Sequence, residues 1–478
     1  MGGKFVSFAE VDVERKAKKE DEEPTVSVES AVNTPVTSGF TTPTGASTPK
    51  NEPESFELTI IPPGNYTTTS PAALSDNPKK QRRVELTSFC ALLWCTFMEG
   101  WNDGTNGPLI PTMQEHYHIG YTTVSMIFVV NCIGFVFGAA VNIRLVQKLG
   151  FGTSMVIGAI SQLIAYCIQA PAPPFPVFAM ALFFSGFGIA LQLQNAGAIV
   201  FVINLRNSSA KMGVLQACYG LGALTSPLAA TKFSAMPHWS YHYLASLGGA
   251  FINVIVLCLV FRFQHMDPIL RKSGQVVHDN RNSPSGNLYS QIFRLKVVHL
   301  LAFFSLTYVG TEVTIGGWIV TFVIRQRGGG ASSGYLSSGF FAGLTVGRLA
   351  LLWFNKLVGE RRVVFLYTAC CIVLEITIWF VPSLIQNAIA VAFIGFLLGP
   401  IYPIITSVAG RLVPHWLLNG AVGWIGGFGQ MGSALLPFVT GVISSKYGVS
   451  SLQPLIVAAL SLMLLLWAAV PRDVRRSE

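Results

Sequence analysis

Four acidic residues stand inside long apolar stretches of this chain: Glu99 and Asp103 in CALLWCTFMEGWNDGTNGPLIP, Glu312 in FFSLTYVGTEVTIGGWIVTF, and Glu375. A carboxylate in hydrocarbon is costly, so such residues are rare, face inward and carry function. Glu99 and Asp103 are spaced i and i+4, which puts them on one face of a helix with Asn102 and Asn106 close by. Carboxylates sharing a partly dry cavity repel one another and lose hydration, and one of them can then exchange a proton near physiological pH. Asp103, Glu312 and Glu99 are therefore the candidate proton-coupling residues. The plain alternative is that they satisfy neighbouring polar groups or backbone gaps around Gly100, Gly104 and Gly107. For Glu375, in a helix expected at the periphery, that alternative is preferred.

Polar and aromatic side chains recur in the other apolar stretches. Asn102, Gln192, Asn195, Gln216, Tyr219, Tyr308, Trp318, Tyr402, Trp424 and Gln430 are the candidate substrate ligands. A lone amide inside a membrane bundle is usually interhelical glue. Combined with Trp and Tyr rings, amides and carboxylates suit a neutral, hydroxyl-rich solute such as a sugar, whose apolar faces stack on the rings. Closely spaced glycines followed by Pro227 and Pro437 mark two helices as flexible packing elements, able either to rock or to pack tightly.

What must position these groups follows from composition. Of 478 residues, 51% are hydrophobic and 12% charged, where a soluble domain carries roughly 25% charged residues. About twelve segments meet the requirement of roughly 20 mostly apolar residues to cross a bilayer as a helix. The first six lie at about 86–112, 123–146, 153–171, 175–204, 212–233 and 241–263, the second six at about 296–325, 332–355, 362–381, 387–411, 417–441 and 451–471. The expected organisation is thus a tail over 1–85, a six-helix bundle over 86–263, a linker over 264–295, a second bundle over 296–471 and a short tail over 472–478. Equivalent positions of the two halves would bring Glu99 and Glu312 to similar depth. Residues 1–85, rich in Ser, Thr, Pro, Glu and Lys, cannot bury enough apolar area to fold alone.

Lys and Arg concentrate about five to one in the loops that share a side with both termini, which places the termini in the cytosol. Asn65 and Asn207 head sequons on that side and are expected to be unglycosylated. The net charge of +9 is scattered in short clusters between apolar runs and does not form a nucleic-acid patch. All eight cysteines lie in apolar runs without metal-ligand or disulfide spacing, and no P-loop is present, so the reading calls for no cofactor, no metal and no nucleotide-driven pump.

Six plus six spans, inside termini and a long central loop resemble the major facilitator superfamily over about residues 86 to 471. Its usual G-x-L-x-D-R-x-G-R-R signature after span two is matched here by IRLVQKLGFG from Ile143, which keeps Leu145, Lys148 and Gly150 but has Ile143 and Gln147 for the Gly and Asp. The counterpart after span eight is NKLVGERR, with Asn355 in the acidic position and Arg361 and Arg362 kept. The resemblance makes Arg144, Lys148, Gly150, Arg348, Asn355, Lys356 and Arg361 the candidate gating residues. WNDGTNGPLIP from Trp101, YVGTEVTIGGW from Tyr308, GRLALLWFNK from Gly347 and GPIYP from Gly399 resemble the fucose:proton symporter-like branch, especially fungal members related to the bypass-of-stop-codon transporters. That likeness implies a protonation and substrate role for Asp103. The span-four Glu of the sugar symporter is absent from LQLQNA at Leu191, where Asn195 is kept, so Glu99 or Glu312 becomes the partner acid.

The expected protein is an all-α integral membrane secondary transporter of the major facilitator fold, with two six-helix bundles. It is expected to move a small polar solute with protons by alternating access, as a monomer in the plasma membrane rather than the vacuole. An exporter working as a proton antiporter and a non-transporting membrane sensor remain open.

Overall fold

The computed structural model describes residues 78–193, 198–203, 205–275 and 288–471. The expected tails over 1–77 and 472–478, the sequon at Asn65, the central part of the linker and the candidate ligand Asn195 lie outside the described residues. Among the described residues the chain is helical throughout. The first half contains α1 (Pro78–Tyr117), α2 (Tyr121–Leu149), α3 (Phe151–Gln169), α4 (Phe175–Leu193), α5 (Ala198–Ile203), α6 (Ser208–Ser234) and α7 (His242–Phe261). Two short helices, α8 (Met266–Lys272) and α9 (Leu288–Arg294), flank the undescribed linker residues. The second half contains α10 (Lys296–Arg327), α11 (Tyr335–Ala350), α12 (Leu352–Val358), α13 (Glu360–Phe380), α14 (Leu384–Leu398), α15 (Ile401–Leu412), α16 (His415–Tyr447) and α17 (Leu452–Ala469).

With α4–α5, α11–α12 and α14–α15 each counted as one element, the described helices make twelve crossings. Eight are long and apolar enough to span a bilayer on their own, and α11–α12, bent by 56° at its break, makes a ninth. The other three are α1, α6 and α16, whose apolar character is diluted by Gly, Pro and polar residues. They are also the helices that pack most intimately. A Cβ on Gly100 would run into the Tyr219 carbonyl of α6, and one on Gly432 into the Leu306 carbonyl of α10. Small residues let membrane helices approach to backbone contact, and here they do so equivalently in each half, α1 against α6 and α10 against α16.

The start of the first span differs from expectation. Residues 78–85, assigned to the tail, form the first two turns of α1, because KKQRRVEL is a run of good helix formers continuous with the apolar segment. Gly150 and Gly359 take φ of +92° and +93° at the α2–α3 and α12–α13 junctions, conformations a side chain would strain.

The side of the bundle on which α1 begins is termed the tail side, and the other the far side. The two halves meet through α1, α2 and α6 on one side and α10, α11 and α16 on the other. Polar contacts between halves concentrate toward the far side. The Thr122 amide and hydroxyl both reach Ser445 Oγ, at 3.0 and 2.8 Å. Arg325 donates to Glu115 at 3.3 Å. Gly107 of α1 abuts the Gly316 carbonyl of α10, and Tyr121 packs on Trp318 with ring centroids 6.0 Å apart.

Candidate functional site

Between the halves lies a cavity of about 90 Å³ lined by Thr96, Glu99 and Asp103 of α1, Gln216 and Tyr219 of α6, Glu312 of α10, Arg348 of α11, Tyr402 of α15 and Gln430 of α16, with Ile199, Leu215, Val309, Gly426 and Gly429 as its apolar wall. Helical periodicity explains the α1 contribution: residues 96, 99 and 103 recur on one face, directed at the other half. Counted back from the far ends of α1 and α10, Glu312 lies level with Asn102, about one turn beyond Glu99. The acids thus occupy adjacent depths rather than a single plane.

Asp103 is held from two sides. The Tyr219 hydroxyl donates to Asp103 Oδ2 at 2.9 Å, and Asn102 Nδ2 approaches Oδ1 at 3.4 Å. Asn102 does not line the cavity. Its Oδ1 accepts from the Tyr166 and Ser185 hydroxyls at 3.2 and 3.0 Å, so its amide is fixed and its remaining polarity is turned toward Asp103.

On the opposite wall, Arg348 Nη2 lies 3.7 Å from Glu312 Oε1 with both side chains buried. Arg348 Nη1 donates to the Gln216 carbonyl across the interface at 3.2 Å, and the guanidinium stands over the Tyr219 ring at 5.4 Å. One guanidinium therefore touches Glu312, the backbone of the other half and the ring that holds Asp103. Among the described residues, the cavity sets three carboxyl groups against this one cation.

Of the expected ligands, Gln216, Tyr219, Tyr402 and Gln430 line the cavity. Tyr308 is one layer behind, stacked on Tyr402 at 6.4 Å with its hydroxyl donating to the Leu398 carbonyl. Three others are engaged elsewhere. Gln192 belongs to a buried network inside the first half, donating to Gln162 Oε1 at 2.9 Å and accepting from Asn253 at 2.8 Å. Trp318 donates to the Pro437 carbonyl at 3.1 Å, and Trp424 packs among Phe293, His299 and Phe428. Glu375 is fully buried in the second half, with both carboxyl oxygens lacking a described partner.

The expected gating residues separate. Arg144 and Lys148 are exposed at the tail-side end of α2. Gly150 supplies the α2–α3 turn. Asn355, buried, accepts from the Tyr367 hydroxyl at 2.7 Å. Lys356 and Arg361 border a second, tail-side cavity. Arg348, grouped with them by resemblance, instead sits in the central cavity. Thr96 was not singled out from the sequence, although its spacing to Glu99 was the available signal. Arg348 was visible as a cation within the apolar run GRLALLWF, a signal that marks it as unusual without separating a gating position from one in the cavity.

Residues 92–349 match the Major Facilitator Superfamily, and the chain belongs to that family: it is a membrane transporter rather than an enzyme. It is similar to bypass of stop codon protein 6 of Saccharomyces cerevisiae, 26% identical over 81% of this chain and 83% of that protein. It is also similar to the glucose/mannose transporter GlcP of Bacillus subtilis, 21% identical over 70% of this chain and 83% of the relative, and to a glucose/galactose transporter of Brucella abortus, 22% identical over 82% and 96%. The fold is shared with the E. coli fucose:proton symporter, at a TM-score of 0.58 and 15% identity over 80% of this chain and 98% of that one. It is shared too with the D-xylose-proton symporter, at a TM-score of 0.65 and 10% identity over 82% and 99%.

Proposed function

We propose that this transporter moves a small, neutral, hydroxyl-rich solute, a sugar by preference, together with protons by alternating access. The observation that carries the proton is the charge imbalance of the central cavity, where, among the described residues, Glu99, Asp103 and Glu312 face the single cation Arg348. Uncompensated charge at membrane depth is expensive. With Arg348 offsetting one carboxylate, the remaining acids are best accommodated by taking up protons, and a cycle that loads and releases them is a proton-coupled cycle. Asp103 is the first choice, because its oxygens are held by Tyr219 and Asn102, neither of which brings a positive charge. Glu312 is tied to Arg348 and acts as the switch partner: when Glu312 or the solute changes, the guanidinium that bridges the halves is released or recaptured.

The substrate class rests on the lining. Gln216, Gln430, Tyr219 and Tyr402 supply amide and hydroxyl groups and two ring faces, the chemistry that suits a sugar. Relatives whose names specify glucose, galactose or mannose support the same class. At about 90 Å³ the cavity is well below the 300–1,000 Å³ of typical small-molecule sites, so the solute is admitted by separation of the halves. Placing both termini in the cytosol makes the tail side the inner face, with the far side sealed.

The deciding experiment is uptake of radiolabelled glucose, galactose and mannose into proteoliposomes under an imposed pH gradient, with Asp103→Asn beside the unaltered chain. Proton-driven accumulation by the unaltered protein and its loss in Asp103→Asn, with equal reconstitution, is the expected result. Accumulation that ignores the pH gradient removes proton coupling from the reading. Solute leaving with the gradient, in exchange for protons, replaces symport by antiport.

A further inference from the structure

Beyond the central site, the tail side of the second half holds a cavity of about 930 Å³ between α12, α13, α15 and α17. Among the described residues its rim carries Lys356, Arg361, Arg362 and Arg411 against a single acid, Glu360. Glu360 is already engaged, by an ion pair with Arg411 and by the Ser407 hydroxyl at 3.0 Å. Arg361 donates to the Val470 carbonyl at 2.7 Å and so is fixed in place at the end of α17. Lys356 and Arg362 have no described partner. The back wall is apolar, formed by Phe365, Val408, Trp467 and Val470.

A basic rim on an apolar pocket matches a group that is anionic at one end and hydrocarbon at the other. The surroundings point the same way. Trp353 and Leu357 of the short helix α12 are 72% and 68% exposed, and α12 bends 56° away from α11. An exposed Trp and Leu beside a Lys, on the short helix that ends a bent span, is the pattern of a segment reaching the membrane interface. A cationic pocket at that level meets phospholipid headgroups before it meets solutes. We propose that this cavity binds a phosphate-bearing anion, presented by an anionic phospholipid of the tail-side leaflet, with Lys356 and Arg362 supplying the free charges and Arg361 a fixed one. Such a lipid would tie α12 to α13 and α17 and thereby brace the second half.

The test uses the purified full-length chain in detergent and reads binding alone, so it does not depend on which solute is carried or on proton coupling. Apparent Tm and native mass spectra are recorded with dioctanoyl phosphatidylinositol bisphosphate, dioctanoyl phosphatidylcholine, soluble inositol trisphosphate and inorganic phosphate. The expected result is a rise in Tm and a retained adduct with the phosphoinositide but not with phosphatidylcholine. Arg362→Gln should weaken that binding about fivefold, the loss expected for one basic side chain at an anionic lipid surface, and Arg362→Lys should restore most of it. A response to soluble inositol trisphosphate as well assigns recognition to the headgroup. A response to the soluble anions without one to the lipid overturns the lipid source. Equal behaviour of phosphatidylcholine and the phosphoinositide, or no effect of Arg362→Gln while the protein stays monodisperse, shows a merely solvated rim and overturns the site.

Discussion

Arg348 is the residue on which the central site turns. It pairs with Glu312, crosses to the Gln216 carbonyl and stands over the Tyr219 ring, all while buried. Removing one member of a buried charge pair leaves the other uncompensated, at a cost of roughly 3–5 kcal/mol. Arg348→Gln is therefore expected to lower apparent Tm and abolish uptake, while Arg348→Lys, which keeps the charge but loses the fork that reaches both partners, retains folding and loses most transport. Thermal stability and uptake measured side by side separate the two effects. Glu375 makes a contrasting case. With no described partner for either oxygen, Glu375→Gln should leave Tm unchanged or raised and uptake intact; a collapse of either would give that side chain a partner the structure does not display. The meeting of Glu99, Asp103 and Glu312 at one cavity was legible in the sequence, because carboxylates in apolar runs are conspicuous. Arg348 was harder to place, since the sequence alone cannot say whether a cation near the end of a span reaches the core or the rim.

Among the elements, α1, α6, α10 and α16 carry both the site and the close packing. Gly107 of α1 lies where a Cβ would collide with the Gly316 carbonyl and the Ser337 side chain across the interface between halves. Gly107→Ala should loosen the far-side seal without disturbing packing inside either half. Its expected signature is faster modification of a cysteine placed at Thr122 by a membrane-impermeant maleimide added on the far side. Unchanged labelling would show that this contact does not limit opening. The glycines before Pro227 and Pro437 were visible in the sequence as hinges or tight packers, and the structure shows Gly222 against the Phe97 carbonyl and Gly432 against the Leu306 carbonyl, close packing within each half.

For the whole molecule, the far-side contacts between Thr122 and Ser445 and between Glu115 and Arg325 describe one arrangement of the two halves, and transport requires another. Thr122 and Ser445 meet directly, hydroxyl to hydroxyl at 2.8 Å. A Thr122→Cys/Ser445→Cys pair should therefore cross-link under mild oxidation and stop uptake, and dithiothreitol should restore it. Uptake that persists in the fully cross-linked protein would rule out separation of the far ends as a step of the cycle.

The sequence by itself determined the class of molecule: long apolar runs in water-soluble company cannot be hidden except in a bilayer, and twelve of them, split by a polar linker, prescribe a two-part helical bundle. It also exposed the acids, whose cost in hydrocarbon marks them wherever they stand. Which groups meet was decided only by tertiary structure. Gln192, Trp318 and Trp424 offer amide and ring chemistry like that of Gln216, Tyr402 and Gln430, yet the first three are engaged away from the shared cavity while the others line it. The physical reason is that in helices hydrophobic on every side periodicity does not tell one inward face from another; rotation about each axis is fixed by glycine contacts and side-chain fit between helices distant in sequence.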